Sequence, residues 1–174
     1  MKRTDTHKTI LIVAGGTSGH IYPALAIASA LKETLPSVNL VFCGVEASLE
    51  EKMVKREGYD FRPIQAQNMP SRTDKRYLSW LVRNARGFFM GLSLLRKLRP
   101  CLVIGTGGFV SAPVIAAARL VRVPYMLHEQ NSIPGRANRM FAKGAQRVFI
   151  SYEVSRRHFK REDQLVFSGN PVRP

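Results

Sequence analysis

Short apolar, β-branched runs alternate with longer stretches of helical spacing along almost the whole chain. Nothing else in the sequence constrains the fold as tightly. Thr9-Ile10-Leu11-Ile12-Val13-Ala14 is apolar almost without interruption, which predicts a strand covered on both faces. The same reading predicts strands at Asn39 to Cys43, Phe61 to Ile64, Leu102 to Ile104, Tyr125 to His128, Arg147 to Ile150 and Leu165 to Phe167. Helical patterns lie between them. One is opened by Pro23 and runs to about Leu35; Leu49 to Glu57 is stopped by Gly58; Tyr77 to Leu98 ends before Pro100. Ala112 to Leu120 and a short segment reaching Lys143 complete the set. Strands and helices in this order form a parallel sheet with helices on both faces. The predicted fold class is therefore α/β, a Rossmann-like, doubly wound parallel sheet of about seven strands. At 174 residues the chain makes one domain, large enough to bury a core without staples.

Ligands of such sheets bind outside the carboxyl ends of the strands, and the unusual residues collect there. Gly15-Gly16-Thr17-Ser18-Gly19-His20 follows the first strand and Gly105-Thr106-Gly107-Gly108 the fourth. His128-Glu129-Gln130-Asn131 follows the fifth, and Gly169-Asn170-Pro171 the seventh. Backbone N–H groups in the first loop, with the helix dipole behind them, can hold a diphosphate. A tight glycine turn with no ligand accounts for the same residues. The loop is neither the G-x-G-x-x-G fingerprint nor a P-loop. His20 stands in the first helical turn, where the dipole disfavours its cation. That points to a neutral imidazole able to accept a proton, against the plainer role of capping the turn. Two glycine loops at neighbouring strand ends can bracket one phosphorylated ligand. The run from His128 to Asn131 is dense in hydrogen-bonding side chains, for use on a ligand or in a structural network. No D-x-D triplet occurs, which argues against a metal-carboxylate diphosphate site.

Lys and Arg number 27 against 12 Asp and Glu, a net charge of +15. Such an excess calls for an anionic partner: nucleic acid, a membrane surface or a phosphorylated substrate. Nucleic acid accounts for the charge but not for the glycine loops. The two cysteines, Cys43 and Cys101, have no metal or disulfide spacing. No apolar stretch is long enough to span a bilayer, and the expected compartment is the reducing cytosol.

The Tyr77–Leu98 helix carries two patterns. Leu81, Ala85, Phe88, Leu92 and Leu95 share one face and are the expected core contacts. Trp80, Met90, Leu94 and Leu98 fall away from that face among Arg76, Arg83, Arg86 and Lys97. Interleaved basic and apolar residues read as a surface for anionic lipid, with Trp80, Arg83, Arg86, Met90 and Leu94 as its contacts. A second basic run, Arg156 to Arg161, reads as a solvated surface.

Together these motifs resemble a known family. Gly15 to Ala26, with the core Gly15-Gly16-Thr17-Ser18-Gly19-His20, is similar to the opening motif of the MurG family. Its members are N-acetylglucosaminyltransferases that turn lipid I into lipid II in peptidoglycan synthesis. Gly105 to Pro113 looks like the family's second glycine motif. His128 to Asn131 with Pro134, Gly135 and Asn138 looks like its third, and Gly169-Asn170-Pro171-Val172-Arg173 like its interdomain signature. The family has glycine where this chain has Ser18, which adds a hydroxyl donor.

The resemblance implies the amino-terminal, acceptor-side half of a GT-B glycosyltransferase, residues 1–168, with 169–174 opening the interdomain linker. The carboxyl-terminal donor domain lies outside this chain, so the isolated chain is expected to be inactive. The implied reaction is an inverting, metal-independent transfer from UDP-N-acetylglucosamine to lipid I, without a cofactor. By resemblance, Thr17, Ser18, Gly19, Asn131 and Arg173 touch the donor, and Gly107 and Gly108 approach the acceptor diphosphate. His20 is the candidate base and Glu129 the reserve. The implied setting is peripheral, on the cytoplasmic face of the plasma membrane, with no nucleic acid. Two rivals stand beside this reading: a membrane-recruiting subunit of a split transferase, and half of a UDP-sugar epimerase.

Overall fold

A computed structural model describes residues 8–16, 18–71 and 73–172, with the Ser18 side chain left out. The strands are β1 (Thr9–Val13), β2 (Asn39–Val45), β3 (Asp60–Ile64), β4 (Leu102–Gly105), β5 (Tyr125–Glu129), β6 (Val148–Ile150) and β7 (Leu165–Phe167). They form one parallel sheet in the order β3-β2-β1-β4-β5-β6-β7. The helices are α1 (Ser18–Thr34), α2 (Leu49–Arg56), α3 (Tyr77–Leu98), α4 (Ser111–Leu120) and α5 (Arg136–Phe141). Short 3-10 turns cover Ala142–Gly144 and Glu153–His158. The expected seven-strand parallel sheet is the one observed.

The apolar character of β1 follows from its central place. It pairs with β2 on one side and β4 on the other. Its side chains alternate between two cores, as the strand period requires. Leu11 and Val13 join Val41, Cys43, Leu92, Leu95, Val114 and Ile115, the layer beneath α3 and α4. Ile10, Ile12 and Ala14 join Ile21, Leu25, Ala28, Phe42 and Val54, the layer beneath α1 and α2. The chain leaves β1 toward β2 and returns through β4 on the other side, so the sheet reverses direction between β1 and β4. The crevice of a doubly wound sheet opens at that point.

Two helix readings need correction. The helix α1 begins at Ser18, five residues before Pro23, which sits inside it. Pro23 has no N–H to give the Gly19 carbonyl, but Gly19 is exposed, so water can take that bond at little cost. In α3 the buried residues are Gly87, Gly91, Leu92 and Leu95, whereas Leu81 and Ala85 are exposed. A Cβ on Gly87 would overlap the Gln65 carbonyl, and one on Gly91 would lie 3.4 Å from the Val114 Cα. The two glycines let α3 settle close against α4 and the loop after β3. Leu94 and Leu98 pack against the core beside them rather than facing outward.

Candidate active site

The loops after β1, β4 and β5 meet at the reversal point. Gly107 and Gly108 have φ of +97° and +79°, a region that side chains with a Cβ rarely adopt. A Cβ on Gly108 would overlap the Gly15 carbonyl, and one on Gly107 would come within 3.0 Å of the His20 ring. The second glycine loop therefore nests against the first and against His20. Among the described residues no acceptor meets the Gly107 or Gly108 N–H. The first loop differs from the sequence reading: its Gly16 N–H donates to the Glu50 carboxylate at 2.8 Å. Glu50, on α2 and largely buried, thus occupies one of the loop N–H groups that could otherwise have held a diphosphate.

His20 is held at two points by Thr106. The Thr106 hydroxyl donates to the His20 carbonyl at 2.9 Å, and the His20 Nδ1 lies 2.9 Å from the Thr106 carbonyl. Nδ1 also lies 3.0 Å from Gln130 Oε1. A carbonyl oxygen only accepts, so Nδ1 carries a proton and donates to it. In the neutral ring Nε2 is then the unprotonated nitrogen. No hydrogen bond to Nε2 is formed among the described residues.

Glu129 ends β5 and is 1% exposed. Its Oε1 accepts from the Asn131 N–H and Nδ2, both at 2.9 Å. Its Oε2 accepts from the Gly135 N–H at 2.9 Å and Asn138 Nδ2 at 2.8 Å. Four N–H donors thus saturate one carboxylate, which shapes the loop from Asn131 to Asn138. This geometry makes Glu129 the organiser of the loop rather than a free reserve base. His128 is buried beside it, and desolvation pushes its imidazole below the usual histidine range. The Gly169 carbonyl and the Glu129 charge oppose that shift.

A cavity of about 300 Å³ lies over these residues, lined by His20, Gly107, Gly108, Asn131 and Asn138. Trp80, Met69, Phe109 and Met140 give it an apolar wall. Among the described residues, Arg136 is the one lysine or arginine that lines it. The Oδ1 of Asn138 and the Oε1 of Gln67 are buried with no hydrogen-bond partner among the described residues. Both residues line the cavity, although these two oxygens are themselves closed to solvent.

The structure brings His20, Gly107, Gly108, Glu129 and Asn131 together. Gly19 is exposed and does not line the cavity. Thr17 and Arg173 lie outside the described residues, as does the Ser18 side chain. Trp80 does not belong to the outer basic face: it is half-buried and lines the cavity. Arg83, Arg86 and Met90 are exposed, as expected. The outer apolar residues of α3 are Leu78, Leu81, Val82 and Phe89, with Leu78 at 70% and Phe89 at 65% exposure. Sequence reading missed Glu50, Gln67, Met69, Asn84 and Arg136. Asn84, the one carboxamide in α3, was the available signal. Its Nδ2 donates to the Gln67 and Trp80 carbonyls and ties the β3–α3 loop to the helix.

Residues 10–150 match the Glycosyltransferase family 28 N-terminal domain. The chain belongs to glycosyltransferase family 28. Among curated relatives of this family-28 domain, one from Symbiobacterium thermophilum is 45% identical over 164 residues, 94% of this chain and 44% of the relative. One from Clostridioides difficile is 36% identical over 166 residues, 94% of this chain and 41% of the relative. Both are named UDP-N-acetylglucosamine–N-acetylmuramyl-(pentapeptide) pyrophosphoryl-undecaprenol N-acetylglucosamine transferase, that is, MurG. The chain therefore spans less than half the length of these relatives. In fold, the family-28 domain is similar to Acinetobacter baumannii MurG, with a TM-score of 0.78 at 23% identity over 96% of this chain and 46% of that one. A putative UDP-N-acetylglucosamine 2-epimerase from Listeria monocytogenes has a TM-score of 0.71 at 11% identity, over 95% of this chain and 46% of that one. At these identities the likeness concerns the fold alone.

Proposed function

We propose that this domain is the acceptor-side half of an inverting, metal-independent N-acetylglucosaminyltransferase of peptidoglycan synthesis. It acts on UDP-N-acetylglucosamine and lipid I, with residues 1–168 as the domain and 169–174 opening a linker to a donor domain. The observation that carries the reading is the orientation of His20. Its Nδ1–H is committed to the Thr106 carbonyl, which leaves the Nε2 lone pair unpartnered, among the described residues, on a ring that lines the cavity. Nε2 takes the proton of the acceptor sugar's 4-hydroxyl as its oxygen attacks the anomeric carbon of the donor. The new carbon–oxygen bond forms as the bond to UDP breaks, the electron pair leaves with UDP, and the centre inverts.

The remaining cavity residues suit the acceptor. The free N–H groups of Gly107 and Gly108 and the guanidinium of Arg136 meet a diphosphate. Thr17, Ser18, Gly19, Asn131 and Arg173 are assigned to the donor by resemblance to the family motif. The outer apolar residues of α3, flanked by Arg83 and Arg86, seat the protein on anionic lipid at the cytoplasmic face of the membrane.

The test has two arms. A water-soluble lipid I analogue should bind the 174-residue chain and shift the amide resonances of Gly107 and Gly108, while transfer by the chain alone stays at background. Joined to the carboxyl-terminal domain of a family-28 relative, the domain should transfer N-acetylglucosamine to that analogue. His20→Ala should then lower kcat by about 10²–10⁴-fold with a much smaller change in donor affinity. Loss of donor affinity with normal kcat would remove the base assignment. Release of an epimerised free sugar nucleotide would replace the transferase reading altogether.

A further inference from the structure

Four groups from three separate stretches of the sequence form one hydrogen-bonded line. His20 Nδ1 meets Gln130 Oε1 at 3.0 Å. Gln130 Nε2 meets His128 Nδ1 at 2.9 Å. His128 Nε2 meets the Gly169 carbonyl at 3.4 Å. Each middle member could in principle be turned either way, since imidazole and carboxamide both donate at one end and accept at the other.

The two ends remove that freedom. Nδ1 of His20 faces the Thr106 carbonyl as well, so it must donate. Gln130 therefore presents its oxygen to His20 and its NH₂ to His128. Nδ1 of His128 must then accept, which puts the His128 proton on Nε2, where the Gly169 carbonyl receives it. The Thr106 and Gly169 carbonyls, with the His128 carbonyl that also accepts from Gln130 Nε2 at 3.4 Å, thus set the direction of the whole line, and the two histidines hold opposite tautomers. His128 is 2% exposed and Gln130 9%, so water competes poorly for these bonds. Ser151 and Ser168 also donate to the Gly169 carbonyl, at 3.3 and 3.0 Å, which anchors the far end.

We propose that Gln130 and His128 are positioning residues that fix the His20 ring with Nε2 unprotonated toward the cavity, and that they tie this orientation to the segment that follows β7. The catalytic use of that ring rests on the base assignment made above; the line of tautomers does not. Neither residue touches a reacting atom. Their effect passes through the ring of His20, whose second Nδ1 acceptor is Gln130. Displacing the Gly169 carbonyl would take from His128 the acceptor for its Nε2–H and from the line the partner that sets its far end.

Histidine tautomers in the 174-residue chain, read from two-bond ¹H–¹⁵N correlations with ¹⁵N-labelled histidine, test this directly. The expected spectrum has His20 protonated on Nδ1 and His128 on Nε2. Gln130→Glu keeps the side chain's shape and gives His20 the same kind of acceptor, but sets a carboxylate oxygen against His128 Nδ1. It should put a proton on His128 Nδ1, either by a change of tautomer or as the imidazolium that keeps the Gly169 bond, and leave His20 unchanged, a result that packing alone does not produce. Gln130→Leu should broaden or shift the His20 ring signals while the Gly107 and Gly108 amides stay folded. His20 found protonated on Nε2, or a His128 pattern indifferent to Gln130→Glu, would overturn the proposal whatever transfer assays show. In the joined two-domain enzyme, Gln130→Leu should lower kcat by roughly tenfold or more with donor KM nearly unchanged. If the tautomers are as expected but His20→Ala keeps full kcat, the base assignment fails and the positioning of the ring stands.

Discussion

Glu129→Gln separates an organising carboxylate from a catalytic one. The native side chain accepts four N–H bonds of 2.8–2.9 Å, two on each oxygen. Glutamine keeps one oxygen and two of these bonds. Its NH₂ must face either the two Asn131 donors or the Gly135 and Asn138 donors, and no rotation avoids a donor–donor contact. Hydrogen bonds to a charged group contribute about 1.5–3 kcal/mol each, so two lost bonds cost about 3–6 kcal/mol. Removing a buried charge recovers part of its desolvation cost, which places the net loss near the lower end, about 3 kcal/mol. For a domain of this size that lowers the melting temperature by about 6–12 °C. Urea unfolding followed by the fluorescence of the single tryptophan, Trp80, and by far-ultraviolet circular dichroism measures it. An unchanged m-value with a lower midpoint assigns the loss to the native state. A loss below about 0.5 kcal/mol, within the range of ordinary surface substitutions, would refute the saturated-carboxylate argument and return Glu129 to the list of bases.

Other expectations follow from burial and charge. Cys101 is exposed and Cys43 is buried with its thiol pushed well above the usual range, so a thiol reagent should label one cysteine in the native chain and the second only on unfolding. Burial lowers the His128 pKa in the folded state, so below about pH 6.5 the unfolded chain binds the extra proton. Stability should be full above that pH and fall as the pH drops through the window beneath it, by at most about 1.4 kcal/mol per pH unit for this one group. His128→Gln should flatten that slope in urea titrations at pH 5 to 7. Arg83→Gln with Arg86→Gln should weaken binding to anionic vesicles at low salt roughly 25-fold, at about 1 kcal/mol per basic residue. Leu78→Ser with Phe89→Ser should weaken it at all salt concentrations, and binding that ignores both pairs removes α3 as the docking element.

The sheet was legible because β1 and β4 are central and buried on both faces, which demands long apolar runs that no exposed segment needs. The loops were legible because glycine at 107 and 108 answers a backbone requirement that leaves a direct mark in the sequence. The start of α1 was not, since Pro23 favours a first turn but is tolerated in the second where the carbonyl it orphans is exposed. The buried face of α3 was misread for a related reason. Counting large apolar residues points to Leu81 and Ala85, while Gly87 and Gly91 decide where the helix can approach its neighbours. Trp80 followed the same rotation, from the outer face into the cavity wall. The environment of Glu129 was hidden because its donors stand two, six and nine residues onward, and only the turn at Gly135 returns them to one point. Glu50 reaches Gly16 across 34 positions of chain, a contact that no local pattern announces.

The pairing of β1 with β4 also orders events in time. Thr106 bonds back to Val13 across 93 positions, and the strands that separate them lie on the other side of β1. During synthesis, β1, β2 and β3 with α1 and α2 can assemble first, because their contacts close short loops. Until β4 emerges, β1 is an edge strand with one row of unpaired amides and an apolar face still waiting for α3 and α4. The strand that ends as the best-protected part of the sheet therefore begins as its most adhesive edge. A ribosome that stalls between Leu98 and Leu102 would hold the nascent chain in that state.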